Sequence, residues 1–253
     1  MYTRILIPLD GSKIAEKVLP YARTLAARLR IPVELLAVID VAAIATQSYA
    51  EESRYSLAYL NEVAETFLAC NVKCTVETGR ADEVIIKKGE ADPRSLITLA
   101  THGRSGLNPW LVGNVAEKVF RNTTNTLLLV RATEEAKTEG EAVLKSMVVP
   151  LDRSGLAENI LPRVAGLAKK LNLPVVYLEN KTKELEKLEA ETLFCVAKEG
   201  LSTKEITALG RASDSLIAMS THGRSAVSRW VLESVTEKIV RYSDDPVLVA
   251  RAT

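Results

Sequence analysis

The 253-residue chain has only two histidines, and both lie in the same pentapeptide, Thr-His-Gly-Arg-Ser, at Thr101 to Ser105 and again at Thr221 to Ser225. An imidazole can exchange a proton near neutral pH, a guanidinium can hold a phosphate, and a glycine lets backbone approach an anion. Nucleophilic catalysis would also need a serine or cysteine in reach of the imidazole and an acid to orient it. The pattern around His102 and His222 shows no nucleophile together with an orienting acid, so both read as loop histidines whose backbone matters more than the ring. Arg104 and Arg224 fit a phosphate contact and a solvated loop equally well. Trp110 and Trp230, each eight residues past its histidine, read as packing groups. Cys70 and Cys74 have no partnering His or Cys nearby and read as small apolar filler rather than metal ligands. No Walker-type Gly-Lys-Ser/Thr loop is present.

The elements that must position these residues follow from hydrophobic periodicity. "RILIPL" and "VELLAVID" are continuous apolar runs, as in strands covered on both faces. Between them Ile14, Val18, Tyr21, Leu25 and Leu29 recur at helical spacing. This predicts one helix capped by Ser12, with Glu16 in its first turn and a kink at Pro20. A second helix ("EESRYSLAYLNEVAETFLACN"), a strand ("KCTVETG"), a helix ("ADEVIIKKGEA"), a strand ("SLITLA"), a helix from Asn114 and a strand ("TLLLVR") follow in turn. Such alternation predicts an α/β fold with a parallel sheet.

The chain repeats itself. Pro8 to Pro20 aligns with Pro150 to Pro162 at an offset of 142, with eight of thirteen positions identical. The histidine motifs align at an offset of 120, so the second copy has lost 22 residues between its first strand and its motif. Both copies end in Arg-Ala-Thr. The expected division is a first domain over residues 1–133, a charged linker over 134–145, and a shortened second domain over 146–253. In parallel sheets of this kind ligands sit beyond the carboxyl ends of the strands, where the strand order reverses. If the first and fourth strands are neighbours there, Asp10 and Gly103 share a crevice, and the helix from Asn114 can point its free N–H groups at an anion.

On these residues the chain resembles a tandem universal stress protein, over nearly all of the first copy and most of the second. The resemblance implies two flavodoxin-like (adenine nucleotide alpha hydrolase-like) five-stranded domains in tandem. Nucleotide-binding members carry a glycine, two residues, a glycine, nine residues, a glycine and then serine or threonine. They also carry an aspartate after the first strand and an aliphatic residue ending the second. In the first copy these positions are Asp10, Val38, Ala100, Gly103, Gly113 and Asn114, with His102 and Val115 beside them. In the second they are Asp152, Asn180, Ser220, Gly223, Glu233 and Ser234. The resemblance therefore implies an ATP or other adenine nucleotide site, with magnesium, in the first copy only. Ala100 suits that site if its φ is negative. In the second copy Glu233 sets a carboxylate against the phosphates, Asn180 replaces the apolar wall for the base, and most of the second helix is missing.

Plainer readings stand beside these. Asn114 with Glu117, and Ser234 with Glu237, fit a helix-start capping box. Asp10 and Asp152 fit caps of the first helix. Hydrophobic content of 47%, charged content of 26% and a net charge of +1 offer no basic excess for nucleic acid. No apolar run is long enough for a bilayer. The odd number of cysteines and the absence of a signal-peptide layout suit a cytoplasmic protein. Three functional classes remain: a stress-associated nucleotide-binding regulator, a nucleotide-independent interaction module, and, less favoured, a slow ATPase. In the first, the last strands, Thr126 to Arg131 and Val247 to Arg251, pair within the chain as a pseudo-dimer and cover their edges.

Overall fold

The computed structural model describes residues 1–40, 49–68, 70–102, 114–132, 137–150, 160–178, 214–221, 239–240 and 243–251. By its contacts the chain forms two compact units. The front unit is Tyr2–Leu127 with Ala132–Ala142; the rear unit is Met1, Leu128–Arg131 and Val143–Thr253.

The front unit runs β1 (Arg4–Pro8), a 3-10 turn (Ala15–Val18), α1 (Leu19–Leu29), β2 (Val33–Ile39), α2 (Tyr49–Glu65), β3 (Val72–Thr78), α3 (Ala81–Glu90), β4 (Ser95–His102) and α4 (Asn114–Asn122). Its sheet has the order β3-β2-β1-β4, and the pairs β1–β2, β1–β4 and β2–β3 are all parallel. The apolar runs are buried as expected of strands with helices on both faces: Ile5, Leu6, Ile7, Leu35, Leu36 and Ile97 are fully enclosed. Each such side chain contributes roughly 1.5–3 kcal/mol.

The helix expected to kink at Pro20 does not do so. The segment divides into the 3-10 turn and α1, and Pro20 sits in the first turn of α1. A proline there gives up no helical hydrogen bond and its fixed φ suits a helix start, so it opens α1 rather than bending it. Leu19, Ala22, Leu25, Ala26 and Leu29 form the buried stripe. Arg30, in the left-handed region at φ 55°, closes the helix.

The segment read from sequence as a charged linker is held to α1 over its described part. Arg23, almost buried, donates through Nη1 to the carbonyls of Thr138 (3.0 Å) and Gly140 (2.9 Å), and through Nε to Thr66 Oγ1 (3.0 Å). Its guanidinium lies 5.5 Å from the centre of the Phe67 ring. Thr24 Oγ1 donates to the Ala142 carbonyl at 2.8 Å, and the Ala142 N–H donates to the Pro20 carbonyl at 3.1 Å. The charged side chains of the segment gave no sign of this, because its backbone makes these contacts.

The rear unit contains most of β5 (Thr126–Ala132), then β6 (Ser146–Pro150), α5 (Leu161–Leu171), β7 (Val175–Leu178), β8 (Ser215–Thr221) and β9 (Val247–Arg251). Its strands lie in the order β5-β9-β8-β6-β7. The duplication is visible in detail. Pro162 opens α5 as Pro20 opens α1, and Asn172 closes it at φ 52°. The N–H of Ile5 bonds to the Pro32 carbonyl at 3.0 Å, and that of the aligned Met147 bonds to Pro174 at 2.9 Å. The shortened stretch of the second copy, with Asn180, lies outside the described residues.

Candidate functional site

β1 lies between β2 and β4. The chain leaves β1 for β2 on one side, continues outward to β3, and returns to β4 on the other side. The order therefore reverses between β1 and β4, where open parallel sheets bind ligands beyond their carboxyl ends. Arg4, Ile5 and Leu6 pair in step with Ser95, Leu96 and Ile97. The Asp10 turn and the end of β4 thus leave the sheet side by side.

The turn after β1 is a polar frame. Asp10 is exposed, and its Oδ1 accepts the Ser12 N–H at 3.0 Å. Ser12 Oγ accepts the Ala15 N–H at 3.1 Å where the 3-10 turn begins, but Ser12 is not the cap of α1 that the sequence suggested, since α1 starts after Val18. Gly11 is in the left-handed region at φ +79°. The Asp10 carboxylate is thus bonded within its own turn while remaining exposed. The 3-10 turn packs against β4.

Val38, near the carboxyl end of β2, is the one half-buried residue of that strand, whose other positions are buried. An apolar surface there can back a flat ligand. Ala100 lies in β4, half-buried, and its φ is not in the left-handed region. The methyl that replaces the family's glycine is therefore unstrained. His102 ends β4 and Asn114 begins α4, but their side chains lie outside what is described, as do Gly103 and Gly113 entirely. Val115 follows in the first turn of α4, half-buried. Glu117, expected in a capping box with Asn114, bonds through Oε1 to Arg121 Nε at 2.9 Å. The rear positions Asp152, Gly223, Glu233 and Ser234 lie outside the described residues; Ser220 is in β8.

Two groups beside Asp10 were not singled out as site residues. Glu16, in the 3-10 turn and 7% exposed, accepts Lys13 Nζ at 2.8 Å on Oε2 and the Tyr59 hydroxyl at 3.3 Å on Oε1. Burial first, then the charges of Glu16 and Asp10, push the Tyr59 phenol above its usual pKa, so it keeps its proton. Tyr59 falls on α2 where periodicity shows a helix but not which crevice it borders. Among the described residues no His, Cys, Asp and Glu group could hold a metal, and no helix is long and apolar enough to cross a membrane.

The family model described as "Universal stress protein family" matches residues 1–131 and 182–251, well over half of the chain. The chain belongs to the universal stress protein family. A universal stress protein of Methanocaldococcus jannaschii is 25% identical over 142 residues, which cover 52% of this chain and 83% of that protein. Among solved structures, a universal stress protein from Archaeoglobus fulgidus DSM 4304 covers 100% of both chains with a TM-score of 0.79 and 20% identity. That likeness extends the tandem fold over the whole length. A universal stress protein solved in complex with cAMP is 17% identical, covering 52% of this chain and 98% of its own, with a TM-score of 0.44. In this universal stress protein Asp10 and Val38 lie at the carboxyl ends of adjacent strands.

Proposed function

We propose that this universal stress protein is a cytoplasmic stress-response regulator whose front unit binds ATP or another adenine nucleotide with magnesium. The rear copy, over residues 146–253, binds none and completes an intramolecular pseudo-dimer. One observation carries the reading: β1 and β4 are neighbours at the reversal of strand order, which sets the exposed Asp10 turn beside the end of β4. The half-buried Val38 and the unstrained Ala100 support it. In this reading Asp10 takes the sugar hydroxyls, Val38 backs the base, and Gly103, Gly113, Asn114 and Val115 surround the phosphates with His102 at the loop's start. That Asp10 is already bonded within its own turn favours the second reading, a nucleotide-independent interaction module. Mass spectrometry of the purified, denatured chain separates the two. Co-purified adenine nucleotide, or saturable ATP binding with magnesium, is expected; absence of both would leave only the interaction module.

A further inference from the structure

We infer that Tyr59 is a positioning residue of the front crevice: its hydroxyl, bonded to Glu16, ties α2 to the turn that presents Asp10 and so sets the grip on the sugar and base of a nucleotide. The inference deepens the nucleotide reading above and rests on it.

A path of hydrogen bonds links the two residues. Tyr59 donates to Glu16 Oε1 at 3.3 Å. The Glu16 N–H donates to the Ser12 carbonyl at 3.3 Å, and the Ser12 N–H donates to Asp10 Oδ1 at 3.0 Å. Glu16 is a buried carboxylate, which is costly unless paired. Its other described side-chain partner, Lys13, is 82% exposed and lies in the same turn. Lys13 neutralises the charge without anchoring the turn to anything else, whereas Tyr59 comes from another element. The phenol stays protonated through the neutral range, so the donor is always present. A turn held in place before binding spares the ligand the cost of ordering it. The second copy offers a natural contrast. It keeps Glu158 at the position of Glu16, but its deletion falls where the helix bearing a Tyr59 counterpart would be.

The test uses Tyr59→Phe in the full chain, with amide exchange read first without ligand. Exchange of the Ala15 to Val18 amides should quicken several-fold. Dissociation constants for magnesium ATP and for adenosine should both rise by about three- to tenfold, while affinity for inorganic tripolyphosphate stays unchanged. Glu16→Gln, which keeps an acceptor for the phenol, should lose less than Glu16→Ala. Unchanged exchange would overturn the tie. Faster exchange with unaltered adenosine affinity would overturn the positioning role. So would an equal loss for tripolyphosphate, which would mark a general weakening of the unit. A wild-type chain that binds neither ATP nor adenosine would sink the nucleotide reading and the positioning role with it, and the ligand-free exchange would still report on the tie.

Discussion

The front and rear units solve the same packing problem at the foot of the sheet with different chemistry. In the front unit Arg4 stands opposite Ser95 on the β1–β4 ladder. Its guanidinium donates to Ser95 Oγ at 2.8 Å, to the Lys88 carbonyl at 2.5 Å and to Glu34. Glu34, 4% exposed, also takes Lys88 Nζ at 3.3 Å and the Thr75 hydroxyl at 3.0 Å. In the rear unit the aligned residues are Ser146, Val176 and Ser215. There Ser146 faces Ser215 across β6 and β8, and the two hydroxyls meet at 2.7 Å. The fold therefore accepts either an ion cluster or a hydroxyl pair beside an apolar residue. Half of a cluster would be the costly arrangement, since an uncompensated buried charge is the expensive state.

The largest way to sharpen the contrast is to give the front unit the rear unit's acid. Gly113→Glu copies Glu233. A carboxylate about 4 Å from a phosphate opposes it by roughly 4 kcal/mol at an effective dielectric near 20, or close to a thousandfold in affinity. Calorimetric titration with magnesium ATP should find binding lost. If wild type and variant bind alike, the nucleotide sits elsewhere.

Next comes Glu34. Glu34→Gln leaves Arg4 without its carboxylate, while Lys88 keeps Glu77 at 2.8 Å, and should cost roughly 2 kcal/mol in urea unfolding, discounted from the fully buried case because Arg4 is partly exposed. Arg4→Ser combined with Glu34→Val copies the rear arrangement and should cost less than that single change. Burial pushes the Glu34 carboxyl up, but Arg4, Thr75 and Lys88 outweigh it and hold its pKa below the ordinary 4.5. Its stabilisation is therefore complete above about pH 4.5 and is lost as pH falls through the lower, folded-state value. The gap between wild type and Glu34→Gln should narrow there.

Breaking the hold on the linker should have a smaller effect. Arg23→Met keeps the apolar stem and frees the carbonyls of Thr138 and Gly140, at a cost of about 1–2 kcal/mol. Trypsin should then cut after Lys137 sooner, followed by mass spectrometry. The rear unit has Ala165 and Gly166 where α1 has Arg23 and Thr24, so the copied pair Arg23→Ala with Thr24→Gly should behave similarly. Unchanged cutting would show that the segment is held by other groups.

These cases show what a sequence can carry. The strands were legible because burial on both faces leaves continuous apolar runs, whereas the reversal between β1 and β4 stood only as a condition, because alternation does not fix strand order. Pro20 was misread because periodicity continues across it; only its place at the start of α1 reveals a helix opening. Glu34 was hidden inside "VELLAVID", where one acid does not disturb an apolar run. Arg23 bonds to backbone carbonyls, which every residue possesses, so no pattern in the linker could announce it. Tyr59 needed the third dimension, because its partner is 43 residues away.

The smallest expected effect isolates conformation from space. Gly11 holds φ +79°, yet a Cβ built on it meets nothing within 4 Å. Gly11→Ala should therefore cost only the left-handed penalty, roughly 0.5–2 kcal/mol, read as a shift in the urea midpoint. Asn tolerates that region better than alanine, so Gly11→Asn should cost less. The aligned rear residue is Arg153. If conformation alone matters, Gly11→Arg will match Gly11→Ala in stability. If Gly11→Arg also alters ATP affinity while Gly11→Ala does not, the long side chain reaches the crevice, and the rear copy differs there by obstruction as well as by Glu233.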